Sequence, residues 1–133
     1  SSVLKIWKSK DCEHTFSEIQ RIKFPENVAR NAGMIFRYGD KFIRPAQESN
    51  QVYGHSISFQ EVTLGDNGFV LNEIYRFKSP HLIYDAGTHT YNQYKDMDVI
   101  DVKGYRNRMM AKLIGYFGHV LVKLKLKKAF VIQ

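Results

Sequence analysis

Residues 30–54 read RNAGMIFRYGDKFIRPAQESNQVYG, and this stretch decides the fold. Met34-Ile35-Phe36-Arg37-Tyr38 and Lys41-Phe42-Ile43-Arg44 are short strand-like runs around Gly39-Asp40. Aromatic and β-branched residues on both sides of a Gly-Asp turn read as a β-hairpin. The second run delivers Arg44, Gln47 and, after a loop, Tyr53-Gly54. Arg, Gln and Tyr at a strand end offer directional hydrogen bonds and one flat stacking face. That equipment suits a sugar or a carboxylate and includes no nucleophile. An ordinary hairpin whose Arg44 pairs with a neighbouring acid fits the same spacing.

Strand signals continue outward at short intervals, over 33–38, 41–47, 55–63 and 69–77, with a strong turn at Gly65-Asp66-Asn67-Gly68. Four such strands joined by tight turns make an antiparallel meander. Beyond Ser79-Pro80 the residues 87–94 and 98–105 read as another hairpin, turning at Lys95-Asp96. At the start, 3–8 is a strand, with Trp7 expected in the core or at a blade interface. Residues 9–32 read as irregular, with one helical turn at Ser17–Gln20; Pro25 forbids a long helix there. The pattern argues for a mainly β fold, with sandwich, barrel and propeller as candidates. From Tyr105 the period changes. Met109, Met110, Leu113, Ile114 and Phe117 recur at three and four, so 105–117 reads as an amphipathic helix. The alternation from Val122 to Lys127 fits either a strand or more helix.

Size and charge set the limits. A chain of 133 residues fits one domain with a core of its own. Aromatics at 14% favour β structure. The lone Cys12 excludes an internal disulfide framework and fits a reducing compartment. No apolar run reaches the ~18–20 residues that span a bilayer. The chain opens Ser1-Ser2 without Met, the start expected of a piece of a longer protein. Net charge is +7, unevenly placed: 103–133 holds 8 Lys/Arg and no acid, against 12 Lys/Arg and 13 Asp/Glu before it. The body is neutral and the C-terminal segment is basic, so the overall charge does not argue for nucleic acid.

Four motifs in order carry a resemblance: Ala29-Arg30-Asn31-Ala32-Gly33, Arg44-Pro45-Ala46-Gln47, Tyr53-Gly54, and Gly87-Thr88-His89-Thr90 followed by Val99-Ile100-Asp101. Over roughly 5–105 the chain resembles the N-terminal, glycosidase-like region of plant glucosamine inositolphosphorylceramide transferases and their bacterial relatives in polysaccharide assembly. The resemblance implies a fold similar to the five-bladed β-propeller of arabinanase- and xylosidase-type glycosidases. It covers only the last blades: a blade entry, one four-stranded blade over 33–77 and a closing hairpin over 87–105. It implies substrate-binding roles for Arg30, Arg44, Gln47, Tyr53 and His89, with Arg30, Arg44, Gln47 and His89 converging on one side of the sheet. Arg30 and Arg44 would clamp charges or hydroxyls, Gln47 would bond a sugar hydroxyl, and His89 would face the channel. Catalytic acids would lie outside this chain, since no carboxylate pair here has the spacing for hydrolysis. Residues 48–52 depart from the family pattern and leave the ligand open.

Plainer roles fit several of these residues. His89 between two threonines suits a hydrogen-bonded structural histidine equally well, and no His/Cys/Asp spacing makes a metal site. Tyr91, Tyr94 and Tyr105 suit packing better than a stacking platform. The expected organisation is a partial propeller over 1–105 and a basic amphipathic tail over 106–133. The expected role is a part of a carbohydrate-active propeller in surface glycan or glycolipid biosynthesis. A non-catalytic glycan-binding or scaffold module is the alternative, and nucleic-acid binding through the tail comes last. No cofactor is indicated. Expected partners are a carbohydrate or glycolipid, an anionic membrane surface through 105–128, and a second copy covering exposed sheet edges. The expected location is the cytoplasm, with contact to a membrane periphery through the tail. Packing of the tail's apolar stripe on the β body is the competing reading.

Overall fold

The computed structural model describes residues 1–12 and 14–124. Antiparallel strands dominate, as expected. β1 (Val3–Ser9) and β2 (Phe16–Lys23) form a two-stranded sheet. β2 corrects the irregular stretch and helical turn expected within 9–32. Phe16, Ile19 and Ile22 recur every third residue, which imitates a helix. The imitation has a structural cause: Ile6 pairs with Gln20 and Trp7 with Glu18, so Ile19 is an extra residue that breaks the strand period.

β3 (Arg30–Asn31), β4 (Phe36–Tyr38), β5 (Lys41–Glu48), β6 (Ser56–Gly65) and β7 (Gly68–Phe77) form the main sheet, in the order β3-β5-β6-β7 with β4 also on β5. β3 and β4 share one flank of β5, with a break at 32–35, so β4 starts three residues later than the expected strand over 33–38. Pro45 explains the break. Its carbonyl accepts the Ala32 N–H, but it has no N–H to return. The Ala32 carbonyl is thereby free to accept Tyr91 N–H at 2.9 Å. That bond seats the last hairpin, β8 (Tyr91–Tyr94) and β9 (Met97–Ile100). It is shorter than the expected 87–94 and 98–105, and Lys95 takes the positive φ of its turn, 56°. A single bridge, Gly87 to Lys103, prolongs the pairing.

Alternation gives the main sheet two unlike faces, because partners in antiparallel register share a face. One is apolar: Ile57 and Tyr91 are buried there with Ala32, packed by Phe36, Phe59, Phe77 and Ile100. Tyr91 meets Phe36 and Phe59 ring to ring and donates its hydroxyl to Asp98 at 2.7 Å. Burial, then that bond, pushes the Tyr91 phenol up to about 12. The other face buries Arg44, Glu48, Ser56, Ser58 and Gln60. β5 therefore has both faces covered. Trp7 does not enter either core: it is 51% exposed, lining a cleft of about 280 Å³ between β1 and the sheet.

The two hairpins β1–β2 and β6–β7 share one irregularity. Phe59 pairs with Tyr75 and Gln60 with Glu73, leaving Ile74 extra as Ile19 is in β2. In a regular strand, residues three apart point to opposite faces. The extra residue brings Glu18 beside Arg21 at 2.9 Å and Glu73 beside Arg76 at 2.6 Å. The sequences are Glu18-Ile19-Gln20-Arg21 and Glu73-Ile74-Tyr75-Arg76, a repeat whose structural basis is the bulge. Gln20 ties the two hairpins together, donating to the Phe69 carbonyl and accepting the Phe69 N–H, each at 2.8 Å. A helix, α1 (Arg108–Lys123), follows the strands. The part of the Val122–Lys127 alternation beyond residue 124 lies outside the described residues.

Candidate functional site

Four of the five expected residues meet at one corner of the main sheet. Arg30 and Gln47 are direct partners in the β3–β5 register and so share a face. Arg30 Nη1 donates to the Tyr53 hydroxyl at 2.7 Å, and its guanidinium carbon lies 5.4 Å from the Tyr53 ring centre. The Tyr53 and His89 rings lie 5.3 Å apart. Arg30 and Tyr53 remain open to solvent. The corner thus offers a guanidinium, an aromatic face, an imidazole and an amide from three separate stretches of chain.

Asp101 holds this arrangement and was not expected as a site residue. Its Oδ2 lies 2.6 Å from His89 Nδ1, and its Oδ1 accepts the backbone N–H groups of His89 and Thr90 at 2.6 and 2.7 Å. A carboxylate only accepts, so Nδ1 carries the proton and Nε2 of a neutral ring is left as an acceptor. The signal was present in the sequence as the Val99-Ile100-Asp101 motif, whose role needs the hairpin register to be read. Gly54 makes room for the ring. It has φ +65°, and a Cβ there would fall 2.0 Å from His89 Cδ2.

Burial raises the Asp101 pKa, but bonds from the His89 ring and the Thr90 and His89 amides outweigh it and hold the carboxyl below its ordinary value. A depressed carboxylate stabilises the fold above its unfolded pKa, and the contribution is lost as pH falls through the folded one. Asp101→Asn is therefore expected to cost about 1 kcal/mol at pH 7, since the group is partly exposed. The gap to the parent should close under acid. Urea unfolding at neutral and acid pH measures this; an equal gap at both would contradict it.

Gln47 is the anomaly of the corner. It is 3% exposed, yet its Oε1 has no hydrogen-bond partner. Buried amides are nearly always paired, and an unpaired one costs about 1–3 kcal/mol. His55 Nε2 is the other such atom among the described residues.

Arg44 does not join the others, which corrects the expected convergence. Three residues before Gln47 on one strand, it points to the opposite face. It is 3% exposed and makes four hydrogen bonds, all to neutral acceptors. Nε donates to Asn31 Oδ1 at 2.8 Å, Nη1 to Gln60 Oε1 at 2.6 Å and more weakly to the Val28 carbonyl, and Nη2 to the Ala29 carbonyl. Among the described residues no carboxylate pairs with it, contrary to the ordinary-hairpin reading. Burial lowers its pKa to about 10, so it stays charged at neutral pH.

No protein-family profile, curated protein or solved structure matches the chain. Among the described residues, no three His, Cys, Asp or Glu side chains gather as a metal site.

Proposed function

We propose that this chain is part of a carbohydrate-active, glycosidase-like β-propeller and contributes sugar-binding residues at the Arg30–Gln47–Tyr53–His89 corner. The observation that carries the reading is the unpaired Gln47 Oε1 beside Arg30, which in turn bonds the exposed Tyr53. A buried polar group left unsatisfied in a native fold is rare and calls for an explanation, a functional role or a bound water among them. Sugars present dense hydroxyls and an apolar ring face, which amide, guanidinium and aromatic groups match. The repeated bulge, 55 residues from Glu18 to Glu73, supports a fold assembled from similar blades. The corner's carboxylate, Asp101, is committed to His89 and Thr90. That favours binding by this segment over bond cleavage.

Saturation-transfer NMR against hexoses, hexosamines, uronic acids and inositol tests the proposal. Arg30→Ala is expected to weaken a bound sugar about tenfold or more, the worth of a charged hydrogen bond. Gln47→Leu keeps the shape and removes the unpaired group. It is expected to weaken binding about fivefold while leaving stability within about 1 kcal/mol of the parent. If none of these sugars binds, or if Gln47→Leu binds as the parent does, the reading fails.

A further inference from the structure

Helix α1 presents an apolar face that none of the described residues covers. Met109, Met110, Leu113, Ile114, Tyr116 and Phe117 are all more than half exposed, Met109 reaching 81%. At 100° per residue these six side chains span an arc of about 160°. Lys112 lies just outside the arc and is exposed. The expected alternative, packing of this stripe on the β body, is not what the helix does.

We propose that α1 lies along an anionic membrane surface, with the arc in the acyl boundary and the surrounding cations on the headgroups. Three observations select this occupant. The stretch 103–133 carries 8 Lys/Arg and no acid, so it complements negative charge and nothing else. A second copy pairing through the same arc would bring two such segments together with no acid to offset them. Among the described residues no helix is long and apolar enough to cross a bilayer, which leaves an in-plane geometry. A duplex or single-stranded nucleic acid would use the cations but leave the apolar arc in water. The inference is independent of the sugar-binding corner and uses none of its residues.

Co-sedimentation of the full chain with vesicles decides it. The chain is expected to bind phosphatidylcholine vesicles containing phosphatidylglycerol, and to leave pure phosphatidylcholine unbound. Added salt should weaken the binding. Leu113→Glu with Phe117→Glu is expected to abolish it with circular dichroism unchanged, because both side chains are already exposed. Lys112→Glu is expected to weaken it at least about fivefold, from ~1 kcal/mol per basic residue at such a surface. Equal binding to both vesicle types overturns the proposal. So does binding that survives the double glutamate variant. So does absence of binding, whether or not the double variant changes self-association in sedimentation velocity.

Discussion

Arg44→Ala is expected to destabilise the main sheet by several kcal/mol rather than to weaken a ligand. The guanidinium is the stitch between the polar face of β5 and the segment before β3. Its loss strands Gln60 Oε1 and the Val28 and Ala29 carbonyls in a buried layer, while Asn31 Oδ1, on an exposed residue, can turn to water. Unpaired buried groups cost about 1–3 kcal/mol each, though not additively, so the total expected is about 3–5 kcal/mol. Domains of this kind hold only about 5–15 kcal/mol in all. Arg44→Lys is expected to recover little, because an ammonium on a flexible stem cannot reproduce a planar fork of donors. Urea unfolding of both variants measures the loss. A folded Arg44→Ala protein within about 1 kcal/mol of the parent would return Arg44 to the list of ligand residues.

Gly33→Ala is the second large effect. A Cβ at Gly33 would fall 1.8 Å from the Tyr91 carbonyl oxygen and 3.0 Å from its carbon. Both are backbone atoms, so the segment at Tyr91 must move away. That breaks the Tyr91 N–H bond to the Ala32 carbonyl and withdraws the Tyr91 ring from Phe36 and Phe59. His89, two residues earlier, is carried off Tyr53. Overpacking and a lost backbone bond together put the expected cost at about 2–4 kcal/mol. Hydrogen exchange should show faster exchange first at the Tyr91 and Thr88 amides. Unchanged protection there would mean that the last hairpin is not seated through Ala32.

The strands from Phe36 to Phe77 were legible because each ends on a turn that names itself, Gly39-Asp40 or Gly65–Gly68. β2 was not, because the bulge at Ile19 destroys the alternation by which a strand is recognised and leaves a false three-residue spacing. The same bulge at Ile74 did less harm, since Gly68 and a run of apolar residues frame β7. In the candidate site, Arg30, Gln47, Tyr53 and His89 were readable as chemistry. What could not be read was which way β5 presents its polar residues. A strand covered on both faces hides Arg44 and Gln47 equally well, and only the register shows that they part company. Asp101 escaped for a related reason: it acts across a hairpin whose pairing the residues alone do not fix.

Ile74 has a consequence for the molecule's life in a crowded solution. β7 is a ten-residue strand at the border of the main sheet, long enough to template a stranger. Because its register slips by one residue midway, an incoming straight strand can follow its hydrogen-bonding groups on one side of Ile74 or the other, but not across it. The opposite border is interrupted as well, at 32–35, where the Ala32 carbonyl is already taken by Tyr91. Neither border offers an unbroken ladder, so the irregularities that obscure the strand pattern also blunt both edges against pairing with a straight strand.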